Sequence, residues 1–207
     1  MKKYIILLLI ATSGKTFGQE AETNKTLAVK ANIFPFLIDN NANESYYLFS
    51  TAIRVSAEKS ISKNKSLVFE LGYAGPLTFD VENGEAGENI ATTGIISGFG
   101  TKFYFGNSSP MSGTYILPMA NYSYIKLLEH PEGMPRTGYV GFKDIGLTGV
   151  LGYQTVCKKN WLIDFYAGTQ IFQRNYYDNT YMENPTVINH NEIGIKPVVG
   201  ISFGKSF

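Results

Sequence analysis

Glu192-Ile-Gly-Ile-Lys-Pro-Val-Val-Gly-Ile-Ser-Phe-Gly-Lys-Ser-Phe207 is the last segment of the chain. Ile193, Ile195, Val199, Ile201, Phe203 and Phe207 share one parity. Glu192, Gly194, Lys196, Gly200, Ser202, Gly204 and Ser206 share the other. Successive side chains of a strand point to opposite faces, so a period of two predicts a long strand. One of its faces is oily. The other is glycine, hydroxyl and charge.

Seven earlier segments repeat the alternation. The first is 26–37, with Leu27, Val29, Ala31 and Ile33 opposing Lys30 and Asn32. The second is 47–58, where Phe49, Ile53, Val55 and Ala57 oppose Ser50, Arg54, Ser56 and Glu58. The third begins near Ser66, with Leu67, Phe69, Leu71 and Tyr73 opposing Glu70 and Gly72. The fourth is 94–105, with Phe99, Phe103 and Phe105 opposing Gly98, Gly100, Lys102 and Tyr104. The fifth, 114–128, is apolar in part on both faces, and Pro118 is expected to interrupt it. The sixth, 139–156, sets Ile145, Leu147, Leu151 and Tyr153 against Asp144, Gly146, Thr148, Gly152 and Gln154. In the seventh, 161–175, Trp161, Ile163, Phe165 and Ile171 oppose Asp164, Gly168, Gln170 and Arg174.

The connections alternate in length. Those at 60–65, 106–113 and 157–160 are short, whereas 38–46, 80–93, 129–138 and 176–191 are longer or more polar. Eight antiparallel strands with this rhythm predict an all-β, up-and-down barrel with both chain ends on one side.

The polar parity decides which way the barrel faces. It is rich in glycine: Gly72, Gly98, Gly100, Gly146, Gly152, Gly168, Gly194, Gly200 and Gly204. Glycine weakens an exposed strand, but it makes room inside a narrow barrel that side chains just fill. Lys30, Arg54, Glu58, Glu70, Lys102, Asp164, Arg174, Glu192 and Lys196 are therefore expected inside. Buried charges persist only when paired, so the expectation is a plugged interior of ion pairs. The apolar parity would then meet lipid, with Trp161, Phe105, Tyr153 and Phe207 near one rim and Tyr47, Tyr73, Tyr139 and Tyr176 near the other.

The start of the chain fits that placement. Lys2 and Lys3 precede the apolar run Tyr4 to Ala11, and small residues lead to Gly18, so 1–18 is read as a secretory signal peptide and 19–25 as a short N-terminal segment. The apolar run is too short to span a bilayer as a helix, which takes about 20 residues. Without Lys2, Lys3 and Lys15 the chain keeps 15 basic against 17 acidic residues, a balance that offers nothing to nucleic acid. Cys157 is the sole cysteine, which excludes an intramolecular disulfide.

On the exported start, the eight segments, the GFGTKFYF and YSYIKL strands and the terminal VGISFGKSF, residues 26–207 resemble the small eight-stranded outer-membrane barrels of the OmpA and OmpX type and related barrel domains of unknown function. The resemblance implies a transmembrane β-barrel in a Gram-negative outer membrane, surrounded by lipid and assembled by the barrel-assembly machinery. In such families the last strand is the assembly signal. Val199, Ile201, Phe203 and Phe207 match that pattern, and Lys205 departs from it.

Chemistry-bearing patterns are sparse. His130 and His190 fall in expected outer loops without metal-ligand spacing. Asp80, Glu82, Glu85 and Glu88 concentrate carboxylates in one connection but lack the regular spacing of a calcium loop. Gly98-Phe-Gly100 lies within a strand and precedes no helix, which sets it apart from a phosphate-binding loop. The expectation is a monomeric, non-catalytic barrel without cofactor or metal, serving structure or recognising an extracellular partner through its outer loops. The alternatives are a narrow channel or porin, an outer-membrane enzyme, and a soluble periplasmic ligand-binding barrel.

Overall fold

A computed structural model describes residues 26–32, 36–40, 47–74, 79–81, 88–105, 111–130, 138–178 and 191–207. The expected signal peptide, the segment 19–25 and His190 lie outside these. Ten strands follow one another: β1 Leu27–Asn32, β2 Phe36–Asn40, β3 Tyr47–Ser62, β4 Lys65–Ala74, β5 Phe79–Val81, β6 Glu88–Tyr104, β7 Gly113–His130, β8 Gly138–Val156, β9 Trp161–Asp178 and β10 Asn191–Ser206. β1 and β2 both pair with β3 on one side and β10 on the other, so together they form a single stave. β4 and β5 likewise share β6 as a neighbour. The ten strands therefore make eight antiparallel staves.

The sheet closes on itself. β10 pairs with β9 along its whole length and with β1 from Ala28↔Ser206 to Asn32↔Ser202. Three backbone bonds seal the end of the seam: the N–H groups of Thr26 and Leu27 donate to the Phe207 C=O at 3.1 and 3.4 Å, and Phe207 N–H donates to the Leu27 C=O at 2.8 Å. Closure removes the unpaired sheet edges that an open sheet would leave.

Alternation in sequence becomes alternation of exposure. β1 reads exposed-buried three times over, with Leu27, Val29 and Ala31 outside and Ala28, Lys30 and Asn32 inside. Ile193 is 78% exposed and Leu147 69%, while Glu58 is 0% and Lys102 1%. Phe99, Phe165 and Phe203 all lie on the outer surface, so they build no common core. This is the reverse of a water-soluble barrel, whose oily face turns inward.

The inward glycines have a steric cause. Tyr115 pairs across the ladder with Gly152, Phe172 with Gly194 and Tyr166 with Gly200. A Cβ on any of these three glycines would run into the ring of its partner. Each ring therefore lies flat over a site that carries no side chain, which fills a narrow lumen without splaying the wall.

Several boundaries differ from the sequence reading. Of the first segment, β1 and β2 are described, residues 33–35 lie outside the described ones, and β2 reaches Asn40, so residues 38–40 are strand. Two of the four carboxylates expected in a connection stand in the wall: β5 holds Asp80 opposite Asn89, and β6 begins at Glu88, while Glu82 and Glu85 lie outside the described residues. Pro118 does not interrupt the fifth strand. It pairs with Gly149 of β8, and on the β6 side the ladder skips from Gly100↔Met119 to Phe103↔Ile116, because proline has no N–H to donate. Tyr176 turns to the lumen, not to an outer rim, since it shares the parity of Arg174 and donates to Glu192 at 2.8 Å. The side chains of Tyr47, Tyr139 and His130 lie outside the described ones.

Aromatic side chains gather at both ends of the wall. Trp161, Phe105 and Phe207 are exposed near the chain ends, with Tyr153 half-buried beside them. At the opposite end Tyr73 and Tyr122 face outward, and Tyr124 packs edge-on against Tyr177 with centroids 6.5 Å apart. On β8 the outward positions between Lys143 and Tyr153 are Ile145, Leu147, Gly149 and Leu151. Those ten residues are about 33 Å of strand, or about 25 Å of height at the usual tilt of a membrane barrel.

Candidate functional site

The inward rows of the wall carry charge in three layers. The first sits near the chain ends. β1 contributes Lys30, β3 Glu58, β6 Lys102, β8 Gln154 and β9 Asp164, all buried. Lys30 Nζ lies 2.7 Å from Glu58 Oε2 and 2.9 Å from Asp164 Oδ2. Lys102 Nζ lies 2.7 Å from the same Asp164 oxygen and 3.3 Å from the same Glu58 oxygen. Two ammonium groups and two carboxylates thus form a closed square without net charge. Gln154 bridges it, accepting from Lys30 at 2.8 Å and from Lys102 at 2.7 Å through Oε1 and donating to the Met111 carbonyl at 2.8 Å.

The outer oxygens of the square are also satisfied. Ser66 donates to Glu58 Oε1 at 2.6 Å and Tyr104 to the same atom at 2.5 Å, while Tyr115 donates to Asp164 Oδ1 at 2.6 Å. Lys102 Nζ stands 3.8 Å from the centroid of the Tyr115 ring, which adds a cation–π contact. A buried charge is tolerated when opposite charge and hydrogen bonds replace its water, and here both do.

The second layer is one pair. Arg54 Nη1 donates to Glu70 Oε1 at 2.8 Å. Beside it Asn32 Nδ2 donates to the Tyr166 hydroxyl. Between this layer and the square lies a cavity of about 30 Å³ whose lining includes Arg54, Ser56, Tyr166 and Ser202. It has room for water.

The third layer sits toward the other end. Arg174 grips Asp144 with two bonds of 2.8 Å, Nε to Oδ1 and Nη2 to Oδ2. Lys196 approaches Asp144 Oδ2 at 3.4 Å. The guanidinium is stacked among rings, 4.1 Å from the Phe142 centroid and 4.9 Å from that of Phe172. Arginine suits this place because its flat, weakly hydrated head can grip a carboxylate in a fork and stack at the same time.

All nine charged residues selected from sequence stand on the inner wall, and the structure divides them. Lys30, Glu58, Lys102 and Asp164 meet in the square, Arg54 and Glu70 form a pair, Arg174 and Lys196 share Asp144, and Glu192 accepts from Tyr176. Asp144, which holds the third layer together, and Gln154, which bridges the first, were not among them, although both sit on the polar parity of the sixth segment. Tyr115 gave less signal, because its strand is apolar on both faces. Val199, Ile201, Phe203 and Phe207 all project from the outer surface at or beyond β10.

Among the described residues no three of His, Cys, Asp and Glu converge as metal ligands. The His130 backbone pairs with Asn89 at the end of β7, so it lies in the wall and not in a loop. Cys157 is a free, half-buried thiol preceding the β8–β9 turn.

No family model matches the chain, and no curated protein does. Among solved structures it is similar to the outer membrane protein AlkL, determined by solid-state NMR in DMPC lipid bilayers, at 11% identity and a TM-score of 0.49 over 92% of this chain and 95% of that one. It is also similar to the E. coli outer membrane protein W, determined by solution NMR, at 13% identity and a TM-score of 0.45 over 90% of this chain and 100% of that one.

Proposed function

We propose that the chain is an integral outer-membrane barrel, closed along its axis, which acts as a structural wall protein or presents its outer loops for recognition and carries out no catalysis. The observation that carries this reading is the inverted polarity: uncharged, mostly aliphatic and aromatic side chains cover the outside between two aromatic girdles, and ten ionised side chains are paired or hydrogen-bonded within. A bilayer is the solvent in which that arrangement is stable.

The three charged layers argue for a plug over a pore. A channel needs a continuous wet path, and the square spans the lumen from β1 to β9 with every ammonium and carboxylate engaged. In this reading 1–18 is removed on export from a Gram-negative cytoplasm, and the barrel-assembly machinery takes up Val199, Ile201, Phe203 and Phe207. The folded monomer then meets outer-membrane lipid, with an extracellular partner engaged at the end away from the termini.

Two measurements test it. Extracted with membranes, the protein is expected to migrate differently on a gel before and after boiling. In a planar bilayer the folded barrel is expected to be electrically silent. Recovery in the soluble periplasmic fraction with unchanged migration overturns the membrane reading. Steady single-channel conductance replaces the plug with a channel.

A further inference from the structure

The end of the barrel that holds the chain termini is ringed by lysine. Lys59 lies near the end of β3, Lys63 and Lys65 in and after its turn, Lys158 and Lys159 in the β8–β9 turn, and Lys205 near the end of β10; all six are exposed. No described aspartate or glutamate at this end is exposed. The two that lie there, Glu58 and Asp164, are buried and already bound to Lys30 and Lys102. The whole chain carries a net charge of only +1, so this is a local concentration and not a consequence of overall basicity.

An independent observation fixes the height of the ring. It coincides with the aromatic girdle of Trp161, Phe105 and Phe207. Lys65 Nζ stands 5.7 Å from the Phe103 ring and Lys205 Nζ 5.7 Å from that of Phe207, while Lys205 pairs across the ladder with Trp161. The Lys65 and Lys205 side chains therefore lie against oily rings, with their ammonium groups over the ring faces. That is how a lysine behaves where hydrocarbon gives way to headgroups.

Resting on the membrane reading above, we infer that this ring is a binding surface for anionic phospholipid headgroups of the leaflet at the terminal end of the barrel. Phosphate esters would sit against the ammonium groups while their acyl chains lie along Leu27, Phe69 and Leu151. Among the described residues the wall at the opposite end mixes the two signs, with Asp80 and Glu88 as well as Lys126 and Lys143.

Trp161 is the only tryptophan and sits within the ring, so its fluorescence reads this surface directly. The folded protein would be placed in phosphatidylcholine vesicles to which brominated phosphatidylglycerol or brominated phosphatidylcholine is added as quencher. The expected result is a preference of about fivefold for the anionic lipid, the size one lysine near an anionic surface supplies. The preference should vanish at about 1 M salt, where the Debye length falls to about 3 Å. It should also vanish in the variant K63Q/K65Q/K158Q/K159N/K205Q, whose heat-modifiable migration reports that it still folds. Equal quenching by both lipids in the unaltered protein overturns the inference and leaves the membrane reading intact. So does a preference that persists in the folded variant. Absence of quenching by either lipid overturns the membrane reading and the inference with it.

Discussion

Lys102 and Asp164 stand on walls that are not neighbours, β6 and β9, and meet across the lumen at 2.7 Å. Removing Lys102 leaves Glu58 and Asp164 facing the single ammonium of Lys30, so the square keeps one surplus buried negative charge. K102M is expected to destabilise the folded barrel by about 3–5 kcal/mol, the usual cost of breaking a buried pair. K102M/D164N should be less destabilised than the sum of the two single variants, because the second change removes the orphaned charge. Urea unfolding in lipid vesicles, followed through Trp161, measures both.

Gly194 and Phe172 give a steric test. G194A is expected to cost about 1–3 kcal/mol, because the added methyl must displace the ring that covers the glycine. The penalty should shrink when F172L is introduced first. Equal penalties in both backgrounds, measured by the same unfolding assay, would show that the ring is not the obstacle.

The outward face can be probed at Leu147. L147R is expected to cost about 2–4 kcal/mol in a bilayer, the range for a cationic side chain near the middle of a barrel's lipid face. Had this surface faced water, the same change would be close to neutral. Its exposure of 69% makes that contrast sharp.

Phe207 tests the assembly reading. F207A is expected to lower the fraction of newly exported chains that reach the heat-modifiable form in cells, while the purified variant refolds into detergent or lipid as the parent does. A refolding defect of the same size in vitro would make Phe207 a packing residue and nothing more.

The period-two signal was plain where each strand face has one character. β10 and β9 show it: Ile193, Ile195 and Val199 point outward, and Glu192, Gly194 and Lys196 inward. β7 blurred it for a physical reason. A lumen stiffened by ion pairs still has to be filled, and Leu117, Met119 and Ile125 do so from the inner face. Apolar side chains on both faces leave no parity to read. The start of β6 was hidden for the opposite reason. Residues 88–93 extend the wall past the oily band, where neither face needs a hydrocarbon pattern.

The inner position of Lys102, Asp164 and Arg174 could be read from parity alone. Their partners could not. Lys102 reaches Asp164 rather than a carboxylate on an adjacent strand because closure and stagger bring β6 and β9 together across the axis, and neither quantity is written in any one segment. Asp144 shows the same limit. Its parity marked it as inward, and only the ladder that sets it beside Arg174 reveals its role as anchor of the third layer.

The seam between β1 and β10 joins the first stave of the wall to the last. Without the last stave, the first stave and β9 would each hold a row of unsatisfied amides and carbonyls, and acyl chains could satisfy neither row. On the membrane reading proposed above, that makes the C-terminal stave the piece whose loss the wall tolerates least.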